Sequence, residues 1–280
     1  MPEQVVLVTG SSSGIGRAVA FEAMRRGHRV FASARKPEDL AGFEVPGRLT
    51  VLPLDVTDPD SVSAAVREVL RSAGRIDALV NSAGYGQYGA VEDVSIDLWR
   101  RQFDVNFFGT LQAIQGVLPA MREARSGTIV NLSSVAGKVA IPFAAPYCAS
   151  KHALEALSDS LRVEIAPFGV RVVIVEPGPI VTRFGQTARS LVQPLLSRGG
   201  GPYAGFYRGA ERAMDVDFQR GKRPPEVVAR IVLKAIESAK PRTRYPVTAM
   251  ARMYIPLRRL LPDRLFDRQM KKALRLPDRV

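Results

Sequence analysis

The stretch "VVLVTGSSSGIGRAVAFEAMRRG" (Val5–Gly27) decides the fold. It opens with a short apolar run ending in glycine, the pattern of a buried strand entering a tight turn. From Gly14 onward, Ile15, Val19, Ala23 and Met24 recur at helical spacing, and Gly27 stops the helix. Between strand and helix lies "TGSSSGIG", where Gly10, Gly14 and Gly16 let a ligand approach the backbone closely. A helix start behind such a turn offers free N–H groups to an anion. Strand, glycine turn and helix together therefore predict a pyrophosphate site.

The alternation continues along the chain. "HRVFASA" (28–34) and "LTVLPLDV" (49–56) read as strands, and "DPDSVSAAVREVLRSAG" (58–74) as a helix capped by Asp58 with Pro59 at its first position. "DALVNSAG" (77–84), "GTIVNLSS" (127–134) and "VRVVIVEPG" (170–178) are further strands, separated by helices over 95–124 and 145–169. Near-continuous apolar strands alternating with helices predict one α/β unit: a Rossmann-type, doubly wound parallel sheet of about seven strands, covered on both faces. This domain spans residues 1–246. Its segment 183–224, with "RGGGPYAGFYRG" inside it, has no firm period and reads as an irregular functional insert. "PEVVARIVLKAIESA" (225–239) is again an amphipathic helix, and "TRYPVT" (243–248) supplies a last strand. Residues 247–280 form a basic amphipathic C-terminal extension.

Composition narrows the function classes. At 46% hydrophobic content the chain of 280 residues can bury a large core, yet it has no apolar run of the length a spanning helix needs. No basic, apolar leader precedes the first strand. Cys148 is the only cysteine, so no internal disulfide forms, and a reducing, cytoplasmic setting is expected. Net charge is +13, but residues 240–280 alone carry 12 Lys or Arg against three Asp. The excess is local, which argues against a general nucleic-acid surface. His28 and His152 have no partner at ligand spacing, so no metal is expected; Trp99 reads as a core or subunit contact.

Tyr147 and Lys151 stand at i and i+4 on one predicted helix and share a face. A free tyrosine titrates near ~10. A neighbouring ammonium favours phenolate, so the pair is expected to bring the phenol towards operating pH. At the end of the second strand, an acid would bind a ribose hydroxyl and an arginine a 2′-phosphate. The sequence there is "FASARK", with Arg35 and no acid, which predicts that a bound dinucleotide carries a 2′-phosphate.

The spacing G-x-x-x-G-x-G, "NSAG" and Tyr147-x-x-x-Lys151 together resemble the classical short-chain dehydrogenase/reductase family, over roughly residues 4–182. The resemblance implies a nicotinamide cofactor, NADP(H) in view of Arg35, and hydride transfer between an alcohol and a carbonyl. It gives Tyr147 the proton exchange with the substrate oxygen, and Lys151 the nicotinamide ribose and the tuning of the phenol. Asn106 would support a water on the proton path. The upstream serine would orient the substrate oxygen; of Ser133 and Ser134, the family interval of thirteen residues selects Ser134. The phosphate turn would contribute Gly10, Ser12, Ser13, Gly14, Ile15 and Gly16. Asp55 and Val56 would meet the adenine; Asn81, Ala83 and Gly84 would line the middle of the cofactor. Pro177, Gly178, Ile180 and Thr182 would hold the carboxamide. Ser82 stands where the family often has a second asparagine.

Family members are commonly dimers or tetramers, so a homo-oligomer is expected. Ile141 and Phe143, with Phe184, Tyr203, Phe206, Tyr207 and Phe218 of the insert, suggest an apolar wall and a lipophilic alcohol or carbonyl substrate. The resemblance leans to the retinol and hydroxysteroid dehydrogenase branch. The basic tail could rest on an anionic membrane, or pack across the substrate entrance or a partner subunit. Two rival readings share the fold: a non-catalytic NADP(H)-binding regulator and a peripheral membrane adaptor. The first needs no proton path, and the second rests on the tail alone.

Overall fold

A computed structural model describes residues 2–196, 201–203, 205, 207 and 223–274. Seven parallel strands form one sheet in the order β3-β2-β1-β4-β5-β6-β7. They are β1 (Val5–Thr9), β2 (Arg29–Ala34), β3 (Leu49–Pro53), β4 (Ala78–Asn81), β5 (Gly127–Leu132), β6 (Val170–Glu176) and β7 (Arg244–Pro246). The doubly wound α/β architecture expected from the alternation is thus present.

Side-chain alternation explains why both faces are buried. Val6, Val8, Val30, Ala32, Val130 and Val173 point to one side, where α1 (Gly14–Arg25) and α7 (Pro225–Glu237) cover them. Leu7, Phe31, Leu79, Ile129 and Val172 point to the other, beneath α2 (Pro59–Ala73), α4 (Gly109–Glu123) and α5 (Ala145–Ile165). A fully buried Val, Leu or Ile contributes about 1.5–3 kcal/mol, so these two layers dominate the stability. The α2 start is as expected: the Asp58 carboxylate accepts from the Asp60 N–H at 2.9 Å, and Pro59 follows the cap. The chain leaves β1 towards β2 and returns to β4 on its other side. The crevice at the carboxyl ends of β1 and β4 is where such sheets take ligands.

Two expectations need correction. The stretch 95–124 is not one regular helix. α3 (Ile96–Phe103) and α4 are joined by a π-helical turn, Asp104–Phe108, and Asn106 sits in it. Such wide turns recur at functional sites because they turn a side chain out of helical register. The expected irregular insert begins as a regular helix, α6 (Phe184–Leu196). Phe184, Ala188, Leu191 and Leu195 are spaced by three or four residues, a period masked by Gly185 and Pro194.

The extension folds back as α8 (Ala249–Leu260) and α9 (Asp263–Ala273). Ala251, Ile255, Phe266 and Met270 pack on Val135 and Val139 of the main body. Trp99 is only half-buried, and His28 is enclosed, 3.1 Å from Glu237.

Candidate active site

A cleft of about 1420 Å³ runs along the carboxyl ends of the strands. One end is the glycine turn. Gly10 has φ +69°, and a Cβ there would lie 2.7 Å from the Ala83 Cα. The Thr9 hydroxyl accepts from the N–H groups of Ser82 and Ala83 at 3.1 and 3.2 Å, tying the turn to the end of β4. Ser12, Ser13, Gly14 and Ile15 face the cleft, followed by Arg35, Asp55, Val56, Ala83 and Gly84. Asp55 accepts from the Thr57 N–H and hydroxyl at 2.9 and 2.8 Å, which fixes that loop.

Two residues expected to line the cofactor stand behind the wall. Gly16 makes room inside the turn, since a Cβ there would lie 2.3 Å from the Gly10 carbonyl oxygen. Asn81 donates to Asn131 Oδ1 at 2.8 Å, and Asn131 donates to Ser158 at 2.9 Å. That buried chain uses the Asn81 amide to join β4 to β5 and α5.

At the other end, Ser134, Tyr147 and Lys151 face the same space. Lys151 Nζ donates to the Leu132 carbonyl at 2.7 Å and lies 6.0 Å from the centre of the Tyr147 ring. Ser134 Oγ accepts from the Ala136 N–H at 3.1 Å, and the Val135 N–H donates to the Pro177 carbonyl at 2.9 Å. The serine loop and the loop after β6 are therefore pinned together. Pro177, Gly178, Ile180 and Thr182 all line the cleft. The Thr182 side chain reaches over the phosphate turn, since a Cβ on Gly14 would lie 3.1 Å from its methyl carbon.

Asn106 is fully buried behind this group. Its amide grips Tyr85, accepting from N–H at 3.1 Å and donating to C=O at 3.0 Å, and it donates to Ser150 Oγ at 3.3 Å. Only Gly84 separates it from Lys151: a Cβ there would lie 3.1 Å from Asn106 Oδ1 and 3.8 Å from Lys151 Nζ. Gln102, not among the residues expected here, assists by donating to the Tyr85 carbonyl at 3.0 Å. Its position four residues before Asn106, the Tyr147–Lys151 spacing, was the available signal.

Electrostatics correct one expectation. The Lys151 ammonium does not bring the phenol towards neutrality. Tyr147 is 8% exposed, and burial pushes its pKa up to about 12, against a lowering hydrogen bond with Ser134. Burial also brings Lys151 down to about 8, with Glu155 pulling the other way. Loss of water outweighs the Ser134 hydrogen bond at the phenol and the Glu155 charge at the ammonium.

The substrate end is aromatic. Tyr147 lies between Tyr88, with ring centres 6.2 Å apart, and Phe184 at 5.3 Å. Ile141 and Phe143 line the same space. Phe143 has φ +64°, uncommon for a bulky residue, and its ring meets those of Tyr203 and Tyr207. Tyr207 is anchored by the Ala90 N–H, which donates to its hydroxyl at 2.8 Å. Phe206 and Phe218, also expected in this wall, lie outside the described residues. The C-terminal extension closes the cleft through Met250, Tyr254, Met270 and Leu274, positions that local sequence could not assign to it.

A dinucleotide fits this cleft. The phosphate end is a turn rich in glycine and serine, Arg35 is exposed on the rim at the end of β2, and the far end presents hydroxyl, phenol and ammonium together.

Known proteins agree with this geometry. Residues 4–192 match the sequence profile of the short chain dehydrogenase family. An NADPH-dependent 3-dehydrocapnine reductase from Ornithobacterium rhinotracheale is 36% identical over 282 residues, covering 96% of each chain. Human 17-beta-hydroxysteroid dehydrogenase type 1 is 36% identical, across 94% of this chain and 82% of that protein. A short chain dehydrogenase from Burkholderia cenocepacia, solved with NADP, superposes with TM-score 0.73 at 27% identity over 98% of both chains.

Proposed function

The chain belongs to the short-chain dehydrogenase family, and from that premise we propose that it interconverts a lipophilic ketone or aldehyde and its alcohol with NADP(H). The observation that carries this reading is one continuous cleft, running from a glycine-rich turn to Tyr147, Ser134 and Lys151 beside an aromatic wall. NADPH, when bound, supplies the hydride. The chain's own residues do the rest. Tyr147 gives its proton to the substrate oxygen, Ser134 orients that oxygen, and Lys151 holds the ribose and keeps positive charge nearby. Asn106 fixes the loop that faces Lys151. The relatives' named substrates, a dehydrocapnine and a hydroxysteroid, fit a site that handles bulky, largely apolar molecules. NADPH oxidation against steroids, retinoids, long-chain aldehydes and small ketones tests the proposal. Turnover confined to the small ketones would overturn the lipophilic assignment.

Arg35 sets the cofactor preference. Charge-assisted bonds to a phosphate are worth about 1.5–3 kcal/mol. Arg35→Ser is therefore expected to lower kcat/KM for NADPH about 10–100-fold while leaving NADH within about twofold. Equal losses with both cofactors would show that Arg35 does not read the 2′-phosphate.

The outer face of the extension meets an anionic membrane. Met253 and Leu260 are 55% and 79% exposed on α8, beside Arg252 and Arg259, while the inner face walls the cleft. Apolar insertion flanked by cations suits such a surface. Full-length protein should co-sediment with phosphatidylserine vesicles, and Met253→Glu/Leu260→Glu should abolish this without changing turnover of a soluble substrate. Unchanged sedimentation of the double variant would reject this face as the contact.

A further inference from the structure

Behind the catalytic face lie two carboxylates that no step above uses. Glu155 and Glu176 are each 2% exposed. Glu155 follows Lys151 by one turn of α5, and Glu176 ends β6, immediately before Pro177. Cations reach them from two other elements. Lys138 Nζ lies 2.9 Å from Glu155 Oε2, and Arg244 Nη2 lies 3.2 Å from the same oxygen. Arg244 Nε is 3.5 Å from Glu176 Oε1 and divides its charge with Asp159, 2.6 Å away. Asp159 also takes Arg162 at 2.6 Å. The charges facing the pair are thus Lys138 from the turn after β5, Lys151 and Asp159 from α5, and Arg244 from β7.

The arrangement leaves polar atoms over. Oε1 of Glu155, Oε1 of Glu176 and Oγ of Ser133 are all buried without a hydrogen-bond partner among the described residues. Ser133 and Glu155 pack closely around Gly137, where a Cβ would lie 2.5 Å from Ser133 Oγ and 3.1 Å from Glu155 Cγ. Buried carboxylate oxygens without a hydrogen bond are costly, and two acids that share one arginine, Arg244, relieve that cost by retaining one proton between them.

We infer that Glu155 and Glu176 form a proton-sharing pair that maintains the Lys151 ammonium, Glu155 acting as a positioning residue one helical turn behind it. The inference rests on the reading of Lys151 as part of the reacting group. Glu176 is raised to about 7, by burial first and by Glu155 second. As pH passes neutrality the pair gives up its proton and gains a negative charge, just below the range in which buried Lys151 would lose its own. The Tyr147 ring is the other titratable neighbour of Lys151, and it stays neutral there.

Two measurements test this, neither needing a substrate. In thermal unfolding without cofactor, the native state keeps a proton that the unfolded chain releases near the ordinary carboxylate range. Stability is then lost as pH rises from about 4.5 to about 7. Glu176→Gln should flatten that decline; a curve parallel to wild type would overturn the shared proton. In NADPH titrations by fluorescence, binding should weaken on the alkaline side as Lys151 deprotonates. Glu155→Gln should bring that loss on about one pH unit earlier, the effect of removing one nearby opposite charge. Glu155→Asp should restore the wild-type profile, and exposed Glu164→Gln should not alter it. A weakening of Glu155→Gln that is uniform across pH would mark a merely structural role and overturn the inference. If the wild-type chain reduces no ketone while both shifts occur, the pair stands and the proposed reaction falls.

Discussion

Tyr147→Phe is expected to lower kcat for carbonyl reduction by about 10²–10⁴-fold, the usual range for losing a positioned general acid. Its Kd for NADPH should stay within about twofold. The phenylalanine ring keeps the contacts with Tyr88 and Phe184, so only the hydroxyl is removed. With burial holding the phenol at about 12, Tyr147 is protonated throughout the neutral range and suited to donating to a carbonyl oxygen. The alkaline limb of the reductive profile should therefore follow Lys151, near 8, rather than the phenol. Stopped-flow reduction and a fluorescence titration of both proteins would decide. A variant that keeps a tenth of the activity would show that another group protonates the substrate. Equal loss of NADPH binding would mean that the hydroxyl serves the cofactor instead.

The residues that read correctly from sequence are those whose evidence is local. The first strand and helix, the Asp58 cap and the i,i+4 placement of Tyr147 and Lys151 depend on neighbours within a few positions. Periodicity and turn chemistry suffice for these. What the sequence hid depends on distant elements meeting. Asn106 grips Tyr85 only because a π turn rotates it towards the loop after β4. Glu155, Glu176 and Arg244 gather from α5, β6 and β7, and "TRYPVT" alone does not say that its arginine is an interior counter-ion. The phenol of Tyr147 departs from the expectation for the same reason. Pair spacing is visible in a string of letters, whereas burial, the larger effect here, is not. The helix at Phe184–Leu196 differs, because its apolar period is present in the sequence and is masked by Gly185 and Pro194.

Gly16 supports the second large effect. Gly16→Ala places a methyl carbon 2.3 Å from the Gly10 carbonyl oxygen and 2.9 Å from its carbon, both backbone atoms that cannot rotate away. Either α1 withdraws or the turn flattens. Each moves the N–H groups that would meet a pyrophosphate, although Gly16 itself does not line the cleft. NADPH affinity should fall at least about 100-fold, since charge-assisted bonds worth about 1.5–3 kcal/mol each are misaligned together. Stability should fall by about 1–3 kcal/mol from overpacking. Gly185→Ala is the matched control, because nothing lies within 4 Å of its added carbon. Calorimetric titration at a temperature where circular dichroism shows both variants folded separates the two effects. Wild-type affinity in a folded Gly16→Ala protein would place the phosphates elsewhere along the cleft. Lost affinity in Gly16→Ala, with Gly185→Ala unchanged, would tie binding to the backbone shape of the turn.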